Sequence, residues 1–395
     1  MPAYAFDSIT AEQALAIRAG DTLTFSGGPA RNVSVVYQSY DPLALTPEVP
    51  RIFVTYEGRT VAFATDITEL SKVGALVMAD GSRLFIGDTS DERLNGGSGS
   101  DGLYGGPGDD SLGGGQGGDL LHGNVGDDVL IGGDGADVIF GGQGHDVIYT
   151  SRDVNGVAGE AGDWAHGNLG DDEIVGGAGN DTLIGGQGDD FLGGGDGADY
   201  LTGDLGDDEL FGGLGSDTLV GGAGDDRLQG SFGADSLNGG DGHDQLVSQG
   251  PDATTLSGGA GDDTVVAASS GRDILSGGAG RDHFEIVGKF APAQGQDDVI
   301  VDWDSIDTLT FPAVTTQGAG AILPRQYSEF VANDYASALT IANEHISATG
   351  AVWVSAQVGG DVYVFADTGD PADGADVAVV LVGRTLADIS LANFG

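Results

Sequence analysis

From Gly96 to Glu285 one nine-residue unit recurs, as in Gly132-Gly133-Asp134-Gly135-Ala136-Asp137-Val138-Ile139-Phe140. Positions one, two and four are mostly glycine, position six is aspartate and position eight is a large aliphatic. A period this strict dictates a solenoid, because one unit cannot bury its apolar residue alone and must stack on its neighbours. The first block is unbroken, with Asp101, Asp110, Asp119, Asp128, Asp137 and Asp146 at position six, each followed two residues later by Leu103, Leu112, Leu121, Leu130, Ile139 and Ile148. Thr150 to Val157 then adds eight residues to the period, which reads as a loop bulging from the solenoid. The series resumes as Asp163, Asp172, Asp181, Asp190, Asp199, Asp208, Asp217, Asp226, Asp235 and Asp244, with Ala165 the weak inward residue. Beyond it the repeat frays: Ser248 and Ala267 are single-residue slips, Thr254 replaces one aspartate, and Asp263, Asp273 and Asp282 close the series.

Glycine at three of the first six positions lets the backbone take positive φ and expose its carbonyls on a tight turn. The last three residues of the unit are expected to form a very short strand that buries one side chain. That burial is too little to offset the ordering of nine residues, at roughly 1–2 kcal/mol each for the backbone alone. If two units make one turn, residues eighteen apart stack, with Asp101, Asp119 and Asp137 on one edge and Asp110, Asp128 and Asp146 on the other. Stacked carboxylates repel one another. A hard divalent cation liganded by carboxylates and turn carbonyls relieves both difficulties, and calcium suits an all-oxygen ligand set. The nineteen sixth-position aspartates are therefore the candidate Ca²⁺ ligands, as multiple ions along the repeat.

Charge agrees with this. The chain has 14 basic and 62 acidic residues, a formal net charge of −48, which opposes binding to nucleic acid or to anionic membrane surfaces. Cysteine is absent, which excludes disulfides and thiolate metal sites. No apolar run is long enough to cross a bilayer as a helix, and Met1 to Thr10 lacks the basic and apolar regions of a Sec-type signal peptide.

With 395 residues and 74 glycines, the chain is read as one elongated body with a cap at each end. Residues 1–95 are expected to form a small β-rich domain, the default cap of the first repeat edge. Thr10 and Gln13 make a capping-box pair opening a short helix to Gly20, and strand-like runs follow at Asp21–Phe25, Asn32–Tyr37, Arg51–Tyr56 and Thr60–Phe63. Residues 96–286 are the repeat. Residues 287–395 return to ordinary signals: strands at Asp298–Asp302 and Asp307–Phe311, a helix capped by Asn333 or Asp334, a hairpin about Gly359-Gly360 and a last strand at Asp376–Val382. The fold class is thus all-β dominated, with a C-terminal β-rich domain containing one helix.

Gly141-Gly142-Gln143-Gly144-His145-Asp146-Val147-Ile148-Tyr149 and its neighbours resemble the calcium-binding nonapeptides of the RTX (repeats-in-toxin) family. The resemblance covers about half the chain. It implies a right-handed parallel β-roll whose Ca²⁺ ions sit between successive turns, held by the sixth-position aspartates and backbone carbonyls. It also implies export by a type I ABC secretion system, and the tail from Asp297 through Asp361–Asp367 to Leu391–Gly395 looks like the terminal domains that carry such signals.

No catalytic constellation is present. The six histidines, His122, His145, His166, His243, His283 and His345, form no H-E-x-x-H arrangement, and there is no G-x-S-x-G elbow or P-loop; the histidines are expected at outward-facing variable positions. Ninth-position residues such as Tyr104, Ile131, Phe140 and Phe211 flank an inward residue and should point outward, as plain sheet surface or as a stripe for lateral packing or domain docking. The acidic run Asp367, Asp370, Asp373 and Asp376 is a turn or one more calcium loop.

These readings converge on a secreted, extracellular or cell-surface protein with no enzymatic activity, a structural component of an S-layer, matrix or adhesive layer. Its expected partners are the type I ABC secretion machinery, further copies of itself in a calcium-dependent assembly, and a cell-surface polysaccharide. The competing expectation is an RTX-type enzyme or toxin with its activity in residues 1–95. Ligand or ice binding by the roll face is weaker, because positions seven and nine show no regular threonine array.

Overall fold

A computed structural model describes residues 3–17, 22–25, 28–38, 51–64, 67–68, 76–78, 80–151, 161–287, 296–311, 327–349, 353–366, 375 and 377–394. The fold is all-β, a parallel solenoid of about 14 turns with two helices. The chain divides into two compact units, Met1–Asp196 and Gly197–Gly395. Among the described residues no helix is long and apolar enough to cross a membrane.

The first unit begins with a small domain. Its helix Ala11–Leu15 is opened by the capping box expected of Thr10 and Gln13, while Gly20 lies outside the described residues. Strands Ser34–Gln38, Arg51–Tyr56 and Arg59–Ala64 form an antiparallel sheet, and Ala3–Ala5, Thr22–Phe25 and Leu76–Met78 a parallel one. Between them Phe6, Phe25, Tyr56 and Phe63 are buried, with Phe6 stacked on Phe25 at 4.7 Å between ring centroids.

The roll of this unit is two parallel sheets. One runs through Leu84–Ile86, Gly102–Pro107, Leu120–Val125, Val138–Gln143, Trp164–Leu169 and Thr182–Gln187. The other runs through Arg93–Ser98, Ser111–Gln116, Val129–Asp134, Val147–Tyr149, Glu173–Ala178 and Phe191–Asp196. Partners are eighteen residues apart, as in Leu112↔Leu130, so two nonapeptides make a turn. Across the insertion the step is Ile139↔Ala165, and the phase is kept; Arg152 to Val157 themselves lie outside the described residues. Eighth-position residues form the core, from Leu103 to Leu183 on one sheet and from Leu112 to Leu192 on the other, all at most 1% exposed. The strands exceed the expected three residues: Ser111–Gln116 spans six, because Gly115, at φ +112°, still pairs in register with Gly97 and Gly133.

The second unit repeats the plan. Tyr200–Leu205, Thr218–Ala223, Ser236–Asp241, Thr255–Ala260 and Ile274–Ala279 belong to one sheet, with Asp298–Ile300 added in parallel. Glu209–Leu214, Arg227–Phe232, Gln245–Ser248, Thr264–Ala267, His283–Ile286 and Thr308–Thr310 make the other. The two single-residue slips widen the step to nineteen, as in Leu237↔Leu256 and Val265↔Phe284. The chain then leaves the roll and returns to it: Val377–Leu381 pairs with Asp298–Ile300, and Asp361–Ala366, Trp353–Val358 and Tyr327–Ala332 extend the sheet outward. Helix Tyr335–Thr349, capped by Asp334, lays Tyr335, Ala338, Ala342 and Ile346 against it. The expected hairpin turns on Gly359, at φ +64°. The acidic run Asp367 to Asp376 lies outside the described residues.

Candidate metal centre

The sixth-position aspartates stand on the turns that open the strands, held there by main-chain bonds. For Asp110, the carbonyl accepts from Val129 N at 2.8 Å, and the N–H donates to Asp128 Oδ1 at 2.7 Å. The same step repeats along both turn edges. In the first unit it runs Asp101 to Asp119 to Asp137 to Asp163 to Asp181, and Asp110 to Asp128 to Asp146 to Asp172 to Asp190, at 2.7–2.9 Å. In the second it includes Asp199 to Asp217 to Asp235 and Asp208 to Asp226 to Asp244 to Asp263 to Asp282, at 2.9–3.1 Å. All nineteen candidate aspartates are at most 3% exposed.

One oxygen of each carboxylate is thereby used. The other is buried without a hydrogen-bond partner in Asp101, Asp110, Asp119, Asp128, Asp146 and Asp172 of the first unit, and in Asp217, Asp226, Asp235, Asp244 and Asp263 of the second. A buried ionised carboxylate lacking a counter-charge is strongly disfavoured, so these columns are built for something that supplies positive charge.

The glycine at position one keeps that space open. A Cβ on Gly123 would lie 2.1 Å from Asp128 Oδ2 and 2.6 Å from the Gly141 carbonyl oxygen; one on Gly221 would lie 2.2 Å from Asp226 Oδ2 and 2.6 Å from Gly239 O. Carboxylate and carbonyl oxygens thus converge where only glycine leaves room. Among the described residues no three acidic or histidine side chains gather into a cluster, so a cation here takes a few carboxylate oxygens and completes its shell with main-chain carbonyls. That all-oxygen set is the one calcium prefers, at about 2.3–2.6 Å per ligand.

Electrostatics point the same way. Burial pushes Asp128 up to about 8, against the lowering effect of the bond from Asp110 N, with repulsion from Asp146 and Asp110 adding to the rise. Burial likewise lifts Asp110, Asp172, Asp217 and Asp226 to about 7, and Asp119, Asp146 and Asp263 to about 6. Near neutral pH such groups bind a proton or a cation.

The ladder runs past both ends of the glycine repeat. Arg83 N donates to Asp101 Oδ1 and Glu92 N to Asp110 Oδ1, at 2.6 and 2.7 Å. At the far end Asp273 N donates to Asp298 Oδ1 and Asp282 N to Asp307 Oδ1, at 2.8 and 3.1 Å. Glu92, Asp298 and Asp307 are members that a glycine search misses. The signal that finds them is the acid followed two residues later by an inward apolar residue: Leu94, Ile300 and Leu309.

Two histidines lie beside the columns, His145 near Asp146 and Asp172 and His243 near Asp244 and Asp263, where each acts to lower the carboxylate pKa against the rise from burial. His283 has both ring nitrogens engaged by Thr308 and Thr310 hydroxyls. His122 keeps the outer-row position but is half-buried there: it stacks between Tyr104 and Phe140 at 6.0 and 5.3 Å, and burial lowers its pKa. Tyr104, also expected outward, is 3% exposed, because the small domain docks over it and its hydroxyl donates to the Val33 carbonyl.

Seven segments within residues 86–284 match the RTX calcium-binding nonapeptide repeat: 86–121, 113–148, 122–155, 157–192, 193–219, 211–246 and 249–284. No curated protein matches the chain. Among solved structures, the AlgE6R3 subunit from the Azotobacter vinelandii mannuronan C5-epimerase is similar at 26% identity over 48% of this chain and 77% of that one, with a TM-score of 0.23. The repeats of this family bind calcium at multiple sites. With its period, its buried carboxylate columns and the seven repeat segments matched, the chain belongs to the RTX family of calcium-binding nonapeptide-repeat proteins.

Proposed function

We propose that the protein is exported unfolded through a type I ABC secretion system and folds outside the cell on calcium. There it serves as a non-enzymatic structural component of a bacterial surface layer, matrix or adhesive. The observation that carries this reading is the buried carboxylate columns in which the second oxygens of Asp101, Asp110, Asp119, Asp128, Asp146 and Asp172, and of Asp217, Asp226, Asp235, Asp244 and Asp263, lack protein donors. Such columns are self-repelling without cations and cohesive with them. A site with Kd near 10⁻⁴ M gains about 1.4 kcal/mol at millimolar extracellular calcium and essentially nothing in a submicromolar cytosol. Many weak sites acting together therefore separate a threadable chain inside from a folded one outside.

Self-association, and contact with a cell-surface polysaccharide, belong to the same reading. Apolar side chains at position three stay in solvent: Leu214 and Phe232 are 50% and 56% exposed. Solvated apolar neighbours of this kind favour lateral packing between copies. The test is to titrate the full chain with calcium while following circular dichroism, size and electron micrographs. Gain of β signal at millimolar calcium together with growth of ordered assemblies is the expected result. A β spectrum unchanged in excess chelator would sink conditional folding, and folded monomers persisting at millimolar calcium would sink the assembly role.

A further inference from the structure

One turn edge of the second unit changes its chemistry near the end of the repeat. Along it the sixth positions read Asp199, Asp217, Asp235, Thr254, Asp273 and then Asp298. Thr254 brings no carboxylate. The following rung, Asp273, is buried like the others, yet both of its oxygens are bonded by the protein. Thr254 N donates to Oδ1 at 2.9 Å, Ser269 Oγ lies 2.8 and 2.9 Å from Oδ1 and Oδ2, and Ser248 Oγ lies 2.9 Å from Oδ2.

The proton accounting of this network closes. Each serine hydroxyl has one proton, which goes to the carboxylate, and each oxygen accepts in return: Ser248 from Ala268 N and Ser269 from Gly271 N, both at 3.1 Å. Three donors on one carboxylate satisfy both of its oxygens from within the protein. The sequence supplies the reason. In an ordinary rung such as Gly239 to Asp244, the missing Cβ opens a space 2.1 Å from the free Oδ2. Here the segments Ser248–Ala253 and Ala267–Arg272 lack the paired glycines, each carries one additional residue, and each puts a serine at the carboxylate. The opposite edge keeps its unpartnered oxygens at Asp226, Asp244 and Asp263 over the same turns.

We infer that the edge at Thr254 and Asp273 is a calcium-free joint, in which the hydroxyls of Ser248 and Ser269 take the place that a cation takes beside Asp226, Asp244 and Asp263. The two slips then substitute one ligand chemistry for another. Calcium on this edge stops at Asp235, while the opposite edge binds through Asp263.

Ions bound by the full-length chain at saturating calcium, counted by equilibrium dialysis and native mass spectrometry, test this. Asp273→Asn should keep the wild-type count and calcium midpoint. Asp244→Asn, on the opposite edge, should lose at least one ion and need several-fold more calcium to fold. Equal losses from the two variants overturn the inference. A Ser248→Ala/Ser269→Ala chain covers the case in which Asp273→Asn distorts the turn, because it leaves both Asp273 oxygens in place. An unchanged count, or one additional ion on the freed carboxylate, supports the joint; loss of an ion there overturns it.

Discussion

The main-chain N–H of Asp110 donates to Oδ1 of Asp128 at 2.7 Å, one turn further along, while Oδ2 of that carboxylate is buried without a hydrogen-bond partner. Half of this side chain thus sets the stacking of the turns, and the other half is held for a ligand. The backbone bond lowers the pKa of the group, but burial outweighs it and leaves the net shift upward.

This sign has a consequence for pH. Folded-state values raised to about 6, 7 and 8 for Asp119, Asp110 and Asp128 exceed the unfolded carboxylate value. Without calcium their contribution is fully present below the unfolded pKa, near 4, and is lost as pH rises through the folded values. In excess chelator the β signal should be stronger at pH 5 than at pH 8. With calcium the order reverses, because binding must expel protons: the calcium midpoint should fall by roughly tenfold or more between pH 6 and pH 8. Circular dichroism at both pH values, with and without chelator, checks both halves, and a calcium midpoint independent of pH would contradict the raised carboxylates.

Glycines at different positions of the repeat should differ sharply in tolerance. A Cβ at Gly123 falls on Asp128 Oδ2 and Gly141 O, whereas one at Gly193 meets nothing nearer than a Phe191 ring carbon at 3.9 Å. Gly123→Ala is expected to cost about 2 kcal/mol or more of calcium-loaded stability and to raise the calcium midpoint. Gly193→Ala should lie within about 0.5 kcal/mol of wild type. Denaturant melts at fixed calcium separate the two, and comparable losses would remove the special role of position one.

Much of this was legible in the sequence, because a solenoid makes the nearest neighbour in space a fixed distance in the chain. The eighteen-residue step, the inward leucines and the burial of Asp101 to Asp282 follow from the period alone. What the period hides is aperiodic. Ser248 and Asp273 meet across 25 residues only because two slips shift the loops, and Asp298 and Asp307 continue the ladder without the paired glycines of the repeat before them. Tyr104 reads as surface because its repeat position is an outer one, and only the docking of the small domain buries it.

That docking rests on few polar bonds, so each should be measurable. Tyr104 donates to the Val33 carbonyl, and Arg31 reaches the Gly118 carbonyl at 3.2 Å. Tyr104→Phe keeps the ring and strands a buried acceptor, at an expected cost of about 1–3 kcal/mol. Arg31→Ala should cost less, within about 1 kcal/mol, because the bond is exposed. Hydrogen exchange should then place the loosening of Tyr104→Phe at residues 33–37 and 84–86. If those amides keep wild-type protection while the chain melts early, the hydroxyl is not what fastens the small domain to the roll.

The exposed faces make a separate prediction. Leu214 and Phe232 are register partners on adjacent strands, and both stand in solvent on the side away from the core. Neither belongs to a carboxylate column, so Leu214→Ser and Phe232→Ser should leave the calcium midpoint of folding unchanged within about twofold. If copies pack through this pair, the double variant removes about 1.5–3 kcal/mol per buried side chain from the contact. Assembly at millimolar calcium should then need at least tenfold more protein, read by light scattering against concentration. An unchanged threshold would move the contact elsewhere on the roll, and a shifted calcium midpoint would mean that the pair serves folding rather than association.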